Sequence, residues 1–181
     1  MLRSLSFAVG LLSLGSLAVA GCGGGSQPGP VAPNAAPAPP LANGIYLVRE
    51  EIPVMAPKPP QAGPGERVVR FDPTKVDSLS REAARFVRVE VEDHHGLVNG
   101  EPQVEPTEDG KQLLFLQLDE GTAKGLEGWA RQHEGTKVAV VVDGDITSVH
   151  KIRDMEKLGH LRIARCTERG CNEIQAKLRK H

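Results

Sequence analysis

The stretch that most constrains the fold is residues 137–151, with the sequence KVAVVVDGDITSVHK. Its first half is an uninterrupted run of small and β-branched apolar residues, which is typical of a strand buried on both faces. Asp143-Gly144 separates this run from a second strand-like segment, whose apolar anchors are Ile146 and Val149. Asp-Gly favours a type I′ turn, because both central residues of that turn need a positive φ angle. We therefore predict a tight antiparallel hairpin at the centre of a sheet.

Strands and helices with regular periodicity surround this hairpin. Residues 86–92 alternate between apolar and charged side chains, and residues 113–118 are almost entirely apolar, so both segments are predicted strands. Residues 119–133 and 167–180 have apolar residues at helical spacing, and Thr167 is in position to cap the second helix. The pattern predicts an α+β fold with two layers, in which a mostly antiparallel sheet has two helices on one face.

Three segments are harder to assign. Residues 45–52 form a strand pattern followed by a long Pro/Gly-rich stretch, so this strand either docks as a sheet edge or belongs to a tether. We favour docking, because one side of the pattern is apolar. Asp77-Ser78 or Ser80 is a candidate cap for a short helix that ends near residue 85, and residues 96–111 are predicted to form a polar loop.

The N-terminus has the organisation of a bacterial lipoprotein leader. A basic residue, Arg3, precedes the apolar residues 5–20, which are too few for a comfortable membrane span. They end in Val-Ala-Gly-Cys, which resembles the lipobox of bacterial lipoproteins and implies that Cys22 is lipidated and becomes the mature N-terminus. The alternative is a plain secretory signal. Gly23 follows the cysteine where an Asp would resemble an inner-membrane retention signal, which favours the outer membrane.

These features divide the chain into three parts. Residues 1–21 are the predicted signal peptide, and residues 22–43 are the lipidated cysteine with a Gly/Pro-rich linker of a composition typical of disorder. Residues 44–181 are the predicted domain, of which residues 112–180 have the clearest pattern. With a net charge of −1 and 3% aromatic residues, the chain lacks the basic character expected of a nucleic-acid-binding protein.

Four chemically active side chains fall into two pairs. Cys166 and Cys171 are the cysteines that remain once Cys22 is lipidated, and an oxidising envelope compartment favours a disulfide between them. Two reduced cysteines are the alternative. Ser148 and His150 share a strand face, but Asp145 has the opposite parity, so the hairpin suggests no catalytic triad.

The run Asp93-His94-His95 is the candidate metal site. Adjacent histidines on a strand point to opposite faces, so at most one of them can share an ion with Asp93 without help from elsewhere. An ordinary polar end of a strand is the simpler interpretation of this run.

The region from residue 114 to residue 178 resembles the head of the first periplasmic domain of SecD, an accessory subunit of the bacterial Sec export machinery. The resemblance is carried by a strand that ends in Asp before a helix, an apolar strand with an Asp-Gly turn, and isolated Gly, Ser and Thr residues, here Asp119, Gly135, Asp143-Gly144, Ser148, Gly159 and Thr167. The chain departs from the SecD pattern at Val149-His150, where Ala-Pro is usual, and at Ala164-Arg165, where a Gly is usual. The multi-span membrane region of SecD is also absent from this sequence.

The resemblance implies a head that is not an enzyme and that contacts emerging polypeptides. We therefore expect a lipid-anchored protein of the bacterial envelope, facing the periplasm, with a polypeptide or envelope protein as its partner and without a cofactor. The alternative function is a small periplasmic metal-binding protein or metal-dependent enzyme that uses Asp93, His94 and His95.

Overall fold

The computed structural model describes residues 39–56, 60–97, 100–152 and 159–180. The elements, in chain order, are β1 (Gly44–Pro53), β2 (Glu66–Phe71), a 3₁₀ turn (Pro73–Lys75), β3 (Arg85–Gly96), β4 (Glu101–Pro106), β5 (Gln112–Gln117), α1 (Glu120–Gln132), β6 (Lys137–Val142), β7 (Asp145–Lys151), β8 (His160–Cys166) and α2 (Glu168–Leu178). No helix in these ranges is long and apolar enough to cross a membrane.

The strands form two antiparallel sheets. Five of them pair in the order β2-β3-β1-β6-β7, and three pair in the order β4-β5-β8. The two outermost strands of the larger sheet, β2 and β7, lie close to each other, so this sheet curls. The predicted α+β class with antiparallel strands and two helices is confirmed, and the strands are divided between two sheets.

The predicted hairpin is β6 and β7. Its turn residues Asp143 and Gly144 have φ angles of 54° and 77°, as a type I′ turn requires. Strand β6 is buried on both faces, as its composition predicts: Val138, Val140 and Val142 belong to one apolar core, while Ala139 and Val141 belong to another.

The first core lies between the larger sheet, the smaller sheet and both helices. Leu126 of α1 and Ile174 of α2 pack into it, together with Leu116 of β5 and Ile163 of β8. Each helix begins where a side chain caps it: the carboxylate of Asp119 accepts the N–H of Thr122 at 3.0 Å, and Thr167 caps α2. The second core fills the inside of the curled sheet.

Strand β1 docks onto the domain in the middle of the larger sheet, between β3 and β6, and not at its edge. Ile45, Tyr46 and Leu47 are buried as a result. The lead-in before β1 is also packed: Leu41 is buried in the second core, and the Asn43 side chain accepts the Asp143 N–H at 2.6 Å. The compact unit therefore begins at Pro39, earlier than the predicted domain start at residue 44.

Two sequence predictions for the remaining segments were wrong. Residues 77–85 contain no helix, because Asp77 accepts the N–H of Leu79 in a local turn and Arg85 already belongs to β3. The predicted loop at residues 96–111 contains strand β4. This strand lies at a sheet edge and pairs with a neighbouring strand on one side only. Prolines are tolerated there because the outer side of the strand has no partner strand that needs an N–H donor.

Candidate functional site

The most distinctive feature of the domain is the junction at which the two sheets meet edge to edge. Strand β7 is outermost in the larger sheet, and β8 is outermost in the smaller one. Each strand has a register shift at this junction: Thr147 has no partner in the β6–β7 pairing, and Ile163 has none in the β5–β8 pairing. Such bulges bend a strand and interrupt regular pairing, so the two edges do not merge into one sheet.

Side-chain hydroxyls connect the edges where the bulges face each other. The Ser148 hydroxyl donates to the carbonyl of Ile163 at 2.7 Å. The Thr147 hydroxyl lies 3.3 Å from the same oxygen and 3.2 Å from the carbonyl of Val140. These contacts pin β7 to β8 at one point and leave a gap beside it.

The gap is a cleft of about 680 Å³. Its floor is formed by the edge residues of β7 and β8, and its other wall is the segment that follows β2. The cleft is lined by Phe71, Pro73, Val76, Asp77, Leu79, Ser80, Arg81, Glu82, Lys111, Thr147, Ser148, Val149, His150, Arg162, Ala164 and Arg165. This volume is in the range of clefts that hold small ligands or short peptide segments.

A half-buried ion pair holds the outer wall of the cleft. One oxygen of Asp77 accepts the N–H of Leu79 at 3.0 Å, and the other oxygen is bound by the ammonium group of Lys111. The wall is fixed at Asp77, whereas the side chain of Leu79 is left 71% exposed at the rim. Leu79 therefore places one exposed apolar side chain beside a cleft that is otherwise largely polar.

The cleft has an excess of positive charge. Lys111 is paired with Asp77, Arg165 with Asp109, and Glu82 with Arg85 at 3.0 Å. Arg81 and Arg162 line the same cleft, are exposed, and have no ion-pair partner among the described residues. Two unpaired guanidinium groups therefore face the opening.

His150 lies on the cleft floor. Burial, together with the nearby charge of Arg162, lowers the pKa of its imidazole to about 4. The imidazole is therefore neutral at physiological pH. Its Nδ1 is 3.5 Å from the Ser148 hydroxyl, whose proton is already donated to Ile163. This geometry suits polar recognition better than activation of Ser148 as a nucleophile.

The predicted metal residues do not converge. Asp93 accepts the indole N–H of Trp129 at 2.8 Å and lies 3.1 Å from Nε2 of His133. His94 points to the other side of β3 and stacks on Tyr46, with ring centroids 4.8 Å apart. His95 is tilted against Trp129. Across residues 39–180, outside the three internal gaps, no group of three or more His, Cys, Asp or Glu side chains is placed to hold a metal ion.

Cys166 and Cys171 lie at disulfide distance, with Cα atoms 5.4 Å apart, and both residues are fully buried. This spacing is within the range that a disulfide requires. Cys22, the predicted lipidation site, lies outside the described residues.

Sequence reasoning identified Ser148 and His150 as neighbours on one strand face, but it missed the cleft that they line. The signal that was available is the spacing of Ile146 and Val149. Both residues pack into the second core although they are three positions apart, which a regular strand does not allow and the bulge at Thr147 does. No local pattern marks Arg81, Arg162 or Leu79 as cleft residues, because they reach the cleft from distant parts of the chain.

Comparison with protein-family models, with curated proteins and with solved structures found no match for this chain.

Proposed function

We propose that this chain is a lipid-anchored protein of the bacterial envelope whose domain binds another polypeptide. The observation that carries the proposal is the cleft at the junction of the two sheets, where the outer edges of β7 and β8 border an opening rimmed by Leu79. Free strand edges offer backbone donors and acceptors in a row, and polypeptides are the partners that match such a row.

The sequence of the leader supports the location. The lipobox-like residues 19–22 make Cys22 the expected attachment point for lipid, and Gly23 favours the outer membrane. The domain then faces the periplasm at the end of a Gly/Pro-rich tether. The SecD-head resemblance supports a binding role without an enzymatic reaction, since that head contacts polypeptides.

Membrane attachment is tested by fractionation of bacterial envelopes that contain the full chain. Cys22→Ser should move the protein from the membrane fraction to the soluble periplasm or block its processing. Gly23→Asp should keep it on membranes but shift it to the inner membrane. If Cys22→Ser leaves both processing and membrane fractionation unchanged, the lipid anchor is wrong.

Polypeptide binding is tested with a photo-crosslinking amino acid placed at position 79 of the full chain in the envelope. Irradiation should give defined protein adducts. The matched control is the same amino acid at position 55, because Met55 is also a large apolar residue, is 91% exposed, and does not line the cleft. Equal adduct patterns at both positions, or none at position 79, would count against the proposed function.

A further inference from the structure

We propose that the cleft takes an extended, acidic polypeptide segment, which adds as a strand along the outer edge of β7. This inference rests on the proposed function and names the class of partner that the same cleft binds. It combines three features of the described residues: an open strand edge, a local excess of positive charge, and an exposed apolar rim.

The open edge is the first feature. Strand β7 pairs with β6 on one side, and no backbone hydrogen bond among the described residues joins its other side to β8 or β2. The hydroxyl contacts of Thr147 and Ser148 hold β8 against the middle of β7 at the carbonyl of Ile163, so the open part of the edge is residues 149–151. An added strand would supply partners to these backbone groups, as in other complexes formed by strand addition.

The charge is the second feature. Each acidic side chain that lines the cleft already has a basic partner: Asp77 binds Lys111, and Glu82 binds Arg85. Arg81 and Arg162 remain for a ligand, and His150 beside Arg162 is neutral at physiological pH. Carboxylates are the natural partners of guanidinium groups, which bind them through two parallel hydrogen bonds.

The apolar rim is the third feature. Leu79 is on the same wall as Arg81, two residues away, and is one of the three large hydrophobic residues that are exposed among the described residues. A strand points successive side chains to opposite sides. A segment in which acidic and aliphatic residues alternate therefore presents carboxylates and an apolar face at the same time.

Two other occupants fit less well. An anionic lipid headgroup would satisfy Arg81 and Arg162 but not the row of backbone groups on β7. A second copy of this chain would pair edge to edge, but it would bring the same arginines into opposition. The acidic strand satisfies the backbone and the charges together.

The test measures binding of labelled nine-residue peptides to the purified full chain in detergent, by fluorescence anisotropy. The acidic probe alternates Glu and Val, the basic probe alternates Lys and Val, and a third probe is the acidic peptide with alternate backbone nitrogens methylated. The acidic probe should bind at least about tenfold more tightly than either of the other two. The basic probe cannot form a charge-assisted pair with the arginines, and the methylated probe cannot form the backbone hydrogen bonds of a ladder. Added salt should weaken binding of the acidic probe.

Arg162→Gln should weaken binding of the acidic probe about tenfold. The matched control is Arg169→Gln, since Arg169 is exposed on α2, pairs with Glu173 at 2.9 Å and lies outside the cleft. It should leave the affinity unchanged. Both side chains are exposed, so both variants should fold, and circular dichroism checks this. Amide protons of residues 149–151 should exchange more slowly when the acidic probe is bound.

Equal affinity for the acidic and basic probes, undiminished binding of the methylated probe, or no effect of Arg162→Gln would overturn the inference. So would Arg162-dependent binding of phosphatidylglycerol vesicles in place of the peptide, or self-association that Arg162→Gln strengthens. If crosslinks from position 79 persist in the envelope while the acidic probe fails, the proposed function stands and only the acidic-strand inference fails.

Discussion

At the scale of single residues, Gly170 in α2 lies very close to the backbone of Val76. A Cβ atom built on Gly170 would lie 2.0 Å from the carbonyl oxygen of Val76. The helix can therefore reach the segment that carries the cleft wall only because position 170 has no side chain.

Gly170→Ala should lower the free energy of unfolding by about 2 to 4 kcal/mol, because backbone must move to relieve the overlap. The measurement is urea unfolding followed by circular dichroism. Gly128→Ala is the matched control in α1: no atom lies within 4 Å of its added Cβ, so it should stabilise the protein by about 0.5 to 1 kcal/mol. Equal stability of Gly170→Ala and the parent would contradict the close approach.

His150 makes a prediction about pH. Because its pKa is lowered to about 4 by burial and by Arg162, the unfolded chain binds the proton more readily than the folded one. The free energy of unfolding should therefore be unaffected by His150 above about pH 6.5 and should fall as the pH drops toward 4. Protonation of His150 should lower the free energy of unfolding by about 3 kcal/mol in total.

His150→Gln should reduce this loss. Thermal unfolding of the parent and the variant at pH 7 and pH 4.5 gives the comparison, and the drop in Tm between the two pH values should be smaller in the variant. Identical drops would mean that His150 is not responsible for the pH dependence.

At the scale of elements, the sequence predicted the helices and strands that are specified by residues within them or next to them. The β-branched run of β6, the Asp-Gly turn and the cap Thr167 all lie next to the elements they specify. Strand β4 was missed because Pro102 and Pro106 resemble loop residues unless the strand is known to be at an edge.

The cleft could not be predicted, for a physical reason. It takes side chains from three separate segments, residues 71–82, 147–150 and 162–165, with Lys111 from a fourth. Which edges meet depends on pairing between distant strands and on the two bulges. The spacing of Ile146 and Val149 indicates the bulge at Thr147, but no single segment encodes which distant edge lies opposite it.

The junction of β8 and α2 carries the next prediction. A disulfide between Cys166 and Cys171 closes a very short loop, so it should stabilise the domain by only about 2 kcal/mol through the unfolded state. Replacing both cysteines by Ser should therefore leave a folded protein with faster amide exchange in α2. The burial of both residues makes polar replacement costly as well, so replacing both by Ala is the matched control.

Thiol labelling of the unfolded protein with and without reductant tests whether the bond forms in the cell. The protein purified from cells should show two additional reactive thiols only after reduction. Two thiols that react freely in the unreduced, unfolded chain would contradict the disulfide.

At the scale of the whole molecule, the packing of β1 makes the N-terminal part of the domain indispensable. The strand lies between β3 and β6 and buries Ile45, Tyr46 and Leu47, so the larger sheet cannot assemble without it. The lead-in adds the buried side chain of Leu41 and the contact of Asn43 with the hairpin turn.

Three truncated chains separate these contributions. Relative to a chain that begins at residue 39, a chain that begins at residue 44 should lose at least about 3 kcal/mol, because it lacks the buried leucine side chain and the four hydrogen bonds that residues 39–43 make to the rest of the domain. A chain that begins at residue 54 should not fold, because β3 and β6 would each lose their shared partner. Urea unfolding by circular dichroism ranks the three. Cooperative unfolding of the shortest chain with the stability of the longest would contradict the central position of β1, since an edge or tether strand is the kind that a domain can lose.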